Sequence, residues 1–180
     1  LYNAYTYQTT MVRCLLDHNK TTNRGGAIVN FYSPNNSDYI NCTFVANEAA
    51  NGSAIANDVL SPTAVITNCI LWDDGGAELY VNGGTITANY SNIKGSYTGT
   101  GNINTDPLFA DTAHADYSLL AGSPCIDAGD PASPLDANGT RADIGAFGVK
   151  DFDLSPTAPT PPGSPTTLDQ NIPNPFNPQT

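Results

Sequence analysis

Three nine-residue stretches of this chain can be laid on one another by their cysteines. Met11–Asn19 reads MVRCLLDHN, Tyr39–Asn47 reads YINCTFVAN and Ile66–Asp74 reads ITNCILWDD. Cys14 and Cys42 lie 28 residues apart and Cys42 and Cys69 lie 27 apart. A fixed period in this range is what a stack of similar coils leaves in a sequence, each coil burying its apolar face on the next. Alternate residues share a face within each stretch: Val12, Cys14 and Leu16; Ile40, Cys42 and Phe44; Cys69 and Leu71. That spacing predicts strands. A second recurring element, Gly26-Ala27-Ile28, Ser53-Ala54-Ile55 and Gly76-Ala77-Glu78, predicts at least two strands per coil. Asn19, Asn47 and Asp74 follow their cysteines at equal distance and predict a polar ladder at one corner, with amides bonded along the stack.

Composition agrees with many short strands. Charged residues are 13 % of the 180, too few for salt-laced helices, whereas Asn and Gly tolerate left-handed turns and Thr favours the pleat. Six Lys and Arg stand against 17 Asp and Glu, a net charge of -11, which repels phosphate backbones and argues against nucleic acid as a partner. No apolar run of about 18 residues is present, so no transmembrane helix is expected. The chain opens at Leu1-Tyr2 with neither Met nor an apolar leader. It reads as the C-terminal portion of a longer protein, with further coils upstream. The even number of cysteines would suit disulfides, but neighbouring coils lie about 4.8 Å apart with parallel side chains, a geometry poorly matched to a bridge. Cys14, Cys42 and Cys69 are expected to be buried thiols, with Cys125 apart in its own loop.

From Gly83 the period shortens. Thr85–Ile93 (TITANYSNI) is expected to be a further coil with Tyr90 near the cysteine position, and an irregular cap should follow, because an uncovered stack ends in unpaired strand edges. The order NCILW, NTDPLF, DYSLLAGSPCIDAGDP and DANGTRADIGAF resembles the C-terminal part of bacterial secreted right-handed parallel β-helix proteins with polymorphic-outer-membrane-like repeats and a variable surface anchor. The resemblance covers about Met11 to Phe147. It implies an all-β, three-sheet parallel β-helix over residues 1–152 with a C-terminal cap, on an exported protein, and leaves the activity open because this fold hosts enzymes, adhesins and scaffolds alike.

Residues 153–167 (DLSPTAPTPPGSPTT) compose a Pro/Thr/Ser linker. Residues 168–180 (LDQNIPNPFNPQT) are similar to the opening of the type A sorting domain of the type IX secretion system. The match runs through Leu168, Gln170, Asn171, Pro173, Asn174, Pro175, Phe176, Asn177 and Pro178; the further strands of that domain are not part of this sequence. The resemblance implies the type IX machinery as partner, and the outer-membrane surface of a Gram-negative bacterium or the medium as destination.

Four functional readings arise from the residues. Asp73-Asp74 and Asn104-Thr105-Asp106 resemble fragments of polygalacturonase-type hydrolases, where paired acids do the work, but the Gly-His-Gly and Arg-Ile-Lys elements are absent. His18 and His114 are isolated, and no catalytic residue is assigned. Asp130, Asp136, Asn138 and Asp143, with Asp127 near, supply the oxygen ligands calcium needs; the alternative is a turn held by Asp and Asn side chains. With the cysteines inward, Leu15, Thr43 and Ile70 form one outward row and Asp17, Val45 and Trp72 another. The second row offers a platform for an extracellular polysaccharide or cell-surface glycan, unless a cap covers it. Two functions therefore stand: a non-catalytic surface scaffold or adhesin, or the end of a polysaccharide lyase or glycoside hydrolase whose active site lies upstream of residue 1.

Overall fold

Short segments rich in Ile, Val, Thr and aromatics, separated by Asn and Gly, fold here as strands of two to five residues. The computed structural model describes residues 1–4, 8–31, 36–59, 63–72 and 75–149. In chain order the strands are β1 (Tyr2–Ala4), β2 (Thr9–Val12), β3 (Leu15–Asp17), β4 (Ile28–Phe31), β5 (Asn36–Ile40), β6 (Thr43–Val45) and β7 (Ile55–Asp58). They continue with β8 (Thr63–Thr67), β9 (Ile70–Trp72), β10 (Leu79–Val81), β11 (Thr85–Asn89), β12 (Asn92–Ile93), β13 (Phe109–Asp111) and β14 (Asp116–Leu119). A single 3-10 turn, Thr112–His114, is the only helix among the described residues.

Each of the first nine strands pairs in parallel with the third strand further along. This gives three four-stranded sheets: β1-β4-β7-β10, β2-β5-β8-β11 and β3-β6-β9-β12. Register follows the cysteine period where Ser37 faces Thr9 and Ala64 faces Ser37, and the last repeat is shorter, with Ile86 facing Ala64. Parallel neighbours need a long crossover, and here the two intervening strands supply it. The protein is thus all-β with three stacked parallel sheets, an arrangement compatible with a β-helix.

The second and third sheets meet at a bend of two residues. Arg13, Asn41, Asn68 and Tyr90 occupy equivalent positions there with φ of 52°, 49°, 54° and 48°. Asparagine enters this left-handed region at least cost among the side chains present. The bend corrects the expected alternation, since the backbone reverses its facing at the left-handed residue. Tyr39, Cys42 and Phe44 point inward and are fully buried, whereas Ile40 is half-buried and Val12 is 51 % exposed. Two alignments also shift by one. Ser91, not Tyr90, stands at the cysteine position, because Asn92 faces Ile70. Leu79, not Glu78, continues the row of Ile28 and Ile55.

The interior is narrow and mixed. Ile28, Ile55, Ile66, Leu71, Tyr39 and Phe44 form its apolar part, with Tyr39 edge-on to Phe44 at 6.2 Å. Burial of such side chains is the main stabilising contribution, about 1.5–3 kcal/mol each. Between them run polar columns. Asn30 Nδ2 donates to Asn57 Oδ1 (2.8 Å), Asn57 Nδ2 to the Thr85 carbonyl (2.7 Å), and the Tyr39 hydroxyl to Asn30 Oδ1 (2.8 Å). At the corner anticipated from sequence, Asn19 Nδ2 donates to Asn47 Oδ1 (2.9 Å) and Asn47 Nδ2 to the Leu16 carbonyl (2.9 Å); Asp74 lies outside the described residues.

All four cysteines are free thiols. Cys42 and Cys69 are buried as expected and Cys125 is buried in the closing segment, but Cys14, on the first coil, is only half-buried. The Cys42 amide donates to Cys69 Sγ (3.3 Å), the Cys69 amide to Ser91 Oγ (3.1 Å), and the Ser91 amide to Asn102 Oδ1 (3.0 Å). One column of side chains thus satisfies the amide after each bend, and Asn102 closes it.

Candidate functional site

The outer face of the third sheet is where sequence reasoning put a ligand platform. The structure forms both rows: Leu15, Thr43 and Ile70 align, as do Asp17, Val45 and Trp72. The closing segment then covers them. The antiparallel pair β13-β14 and the loops around Cys125 and Ile144 pack on this face, where Ile70, Leu119, Cys125 and Ile144 make a second apolar cluster. The Ala146 amide donates to Thr43 Oγ1 (3.0 Å), and a side chain at Gly145 would collide with Ile70. Val45 is 3 % exposed, so it offers a ligand no surface. Asp17 lies against Tyr117, whose hydroxyl burial and the nearby carboxylate push upward in pKa. Trp72 keeps partial exposure at the edge of the cluster, with Lys94 Nζ 5.8 Å from its ring centroid.

The residues singled out for calcium are brought to one loop region, where they bond to the chain itself. Asp136 Oδ2 accepts from the Asp143 amide (2.8 Å), Asp143 Oδ1 from the Asp127 amide (2.8 Å), Asn138 Oδ1 from the Thr140 amide (3.0 Å), and Asp130 Oδ1 from the Ala132 amide (2.8 Å). Burial, with Asp136 and Asp127 nearby, raises the Asp143 carboxyl above its ordinary pKa. Among the described residues no group of three or more His, Cys, Asp or Glu is arranged to hold a metal ion.

The fragments resembling a hydrolase are turn caps where they are described. Asn104 Oδ1 accepts from the Gly95 amide (3.2 Å) and Asp106 Oδ1 from the Leu108 amide (2.9 Å); Asp73 and Asp74 lie outside the described residues. His18 sits 3.3 Å from Asp17 and His114 2.7 Å from Asp111, both on the surface. The sorting motif and linker likewise fall outside the described residues.

Sequence reasoning missed the outer face of the first sheet. There the Arg24 guanidinium pairs with Asp58, whose other oxygen accepts from Asn82 Nδ2 (2.6 Å), and Arg24 lies 5.8 Å from the Tyr80 ring centroid. The Tyr2 and Phe31 rings approach to 5.6 Å beside them. The signal was an arginine placed directly before Gly25-Gly26 in a chain with six cations, but its partner Asp58 is one coil away and no spacing rule joins them.

The fold defines an all-β protein of stacked parallel sheets whose third sheet is covered by the closing segment. No protein family, curated protein or solved structure matches the chain.

Proposed function

We propose that residues 1–152 are coils and cap of a right-handed parallel β-helix that serves as a non-catalytic scaffold, an adhesin or display stalk, at the surface of a Gram-negative bacterium or in its medium. Residues 153–167 are its linker and residues 168–180 the opening of a type IX sorting domain, which makes that secretion machinery its partner in export. The scaffold reading is supported above all by the use of the buried polar groups. Asn30, Asn47, Asn57 and Asn68, the Cys42–Cys69–Ser91 column and the cap's carboxylates all hold backbone or one another. Catalytic acids and bases must instead reach a substrate. The cations follow the same rule: Lys20 pairs with Glu48 (2.6 Å), Arg13 with Asp136 (3.7 Å), and Arg141 donates to the Gly129 and Ala128 carbonyls.

Incubation with neutral and uronate polysaccharides tests this. The protein should release neither new reducing ends nor unsaturated uronyl products. Product release that falls on substitution of a described carboxylate would make it an enzyme and end the scaffold reading.

A further inference from the structure

Three asparagines in this chain stand directly before a glycine: Asn51-Gly52, Asn82-Gly83 and Asn138-Gly139. Glycine has no Cβ to keep its backbone nitrogen away from the preceding side chain, so all three pairs share one intrinsic chemistry, and the fold treats them differently. We propose that Asn138 is a site of covalent modification by water. Its side-chain amide cyclises onto the Gly139 nitrogen, leaves as ammonia, and gives way to isoaspartate or aspartate in the closing segment.

The step balances without an oxidant or a cofactor. The Gly139 amide gives its proton to solvent hydroxide and its nitrogen attacks Asn138 Cγ. An N–Cγ bond forms, the Cγ–Nδ2 bond breaks, and the departing nitrogen takes a proton from water to leave as ammonia. Water then opens the five-membered imide. Opening at the Asn138 backbone carbonyl gives isoaspartate, and opening at Cγ gives aspartate.

The turn at 136–140 favours this attack. Asn138 and Gly139 are both exposed, and a Cβ built at Gly139 would meet nothing within 4 Å. Asn138 Oδ1 accepts from the Thr140 amide (3.0 Å) and from Thr140 Oγ1 (2.8 Å). Negative charge gathers on that oxygen in the tetrahedral adduct, and two donors already aimed at it stabilise the adduct more than the amide. The leaving nitrogen, Asn138 Nδ2, donates to no group among the described residues. The Gly139 amide donates to the Asp136 carbonyl (2.8 Å), and this bond must open first; at an exposed turn it is exchanged for a bond to water at little net cost. The other two pairs are held shut. Asn82 Nδ2 is bound to Asp58 Oδ1 (2.6 Å), and Gly83 lies against the Val59 backbone. Gly52 is buried, and the Asn51 amide and carbonyl are bonded to Asn23 and Gly25 (3.2 and 3.0 Å).

Conversion acts on the closing segment. The Asp136 amide donates to the Thr140 carbonyl (3.0 Å), and Asp136 reaches both the Asp143 amide and Arg13 of the first coil. Isoaspartate lengthens the backbone inside that turn, and either product sets a new carboxylate close to Asp136 in sequence.

Ageing the full chain at mildly alkaline pH, followed by peptide mapping with fragmentation that separates isoaspartate from aspartate, tests the proposal. In denaturant the three pairs should convert at similar rates. In the folded chain Asn138 should convert while Asn51 and Asn82 fall behind by about tenfold or more, each factor of ten being about 1.4 kcal/mol in barrier. Thr140→Val, which removes one donor to Oδ1, should slow Asn138 severalfold without slowing it in denaturant. Asn138→Gln should abolish the product and, at an exposed position, melt with the parent. Persistence of the Asn138 amide in the folded chain, conversion of Asn51 or Asn82 in step with it, or a folded Thr140→Val rate at or above the parent's overturns the proposal. These outcomes are independent of the scaffold reading, which fails on product release from a polysaccharide instead.

Discussion

Cys42 and Cys69 occupy one register position on adjacent coils, and each thiol points at two carbonyls: Met11 and Ile40 for Cys42, Tyr39 and Thr67 for Cys69. The Cys69 thiol draws Cys42 down to about 7, while burial pushes Cys69 well up. Reactivity needs access as well as a thiolate, and only Cys14 has access. Native alkylation at neutral pH should therefore modify Cys14 alone, and denaturation without reductant should expose all four thiols; rapid native labelling of Cys42, or a mass showing a bridge, would contradict the column. Burial also pushes Cys125 from its ordinary 9.0 to about 11 and Tyr39 from 10.0 to about 12. Both are raised in the folded state, so the stability they contribute is complete below about pH 9 and is lost as the pH rises through 11 and 12. Urea midpoints should be flat from neutrality to about pH 9 and then fall, and Tyr39→Phe should flatten the fall at its upper end. At this scale the sequence showed that cysteines face inward and that Asn19 stacks on Asn47. Asn30 in β4 and Asn57 in β7 were not singled out, although the repeat that aligns Ile28 with Ile55 also sets them opposite each other.

The bend between the second and third sheets couples local conformation to packing. Asn68 holds φ of 54° while its Nδ2 donates to Ser133 Oγ (3.0 Å) and its Oδ1 accepts from the Asp130 amide (2.6 Å). Asn41, one coil earlier, donates to the Asp143 carbonyl (3.0 Å). The cap is therefore bolted to the coils by the residues that turn them. Asn68→Ala should cost about 3 kcal/mol, combining the left-handed penalty with an orphaned buried amide. Asn68→Gly should recover about 1 kcal/mol of it by relieving the backbone alone; equal losses in chemical denaturation would show that the conformational part is absent. With the carboxylates of Asp136 and Asp143 engaged by backbone amides, millimolar calcium should leave the melting temperature within roughly a degree, since only ligands that bind the folded state raise it. A clear rise would restore the cation reading of that loop. The period of 28 and 27 residues was legible because cysteine, with only four in the chain, is rare enough to mark a register. The shortened last coil was misaligned by one because Tyr90 and Ser91 both suit a turn, and only pairing with β9 separates them. The bend itself was illegible as a break in alternation, since a left-handed residue flips the facing without leaving a gap in the sequence.

At the scale of the whole chain, the described fold runs to the bridge between Leu119 and Val149, where the Leu119 amide also donates to the Gly148 carbonyl. Beyond it, residues 151–180 contain no Lys or Arg and eight of the 14 prolines fall between Pro156 and Pro178. That composition is a linker's, and residues 151–180 contain no residue after which trypsin cuts. Proteinase K, which does not depend on basic residues, should therefore trim the protein to a resistant fragment ending shortly after Val149, with the same thermal midpoint as the full chain. In a host with type IX machinery, the chain fused to a complete type A sorting domain should reach the surface, and removal of everything from Leu168 onward should leave it in the periplasm. The two results bear on different claims. A protected linker would mean that residues 153–167 pack on the coils as part of the working domain, whereas surface delivery without the motif would refute the export reading while leaving the scaffold reading intact.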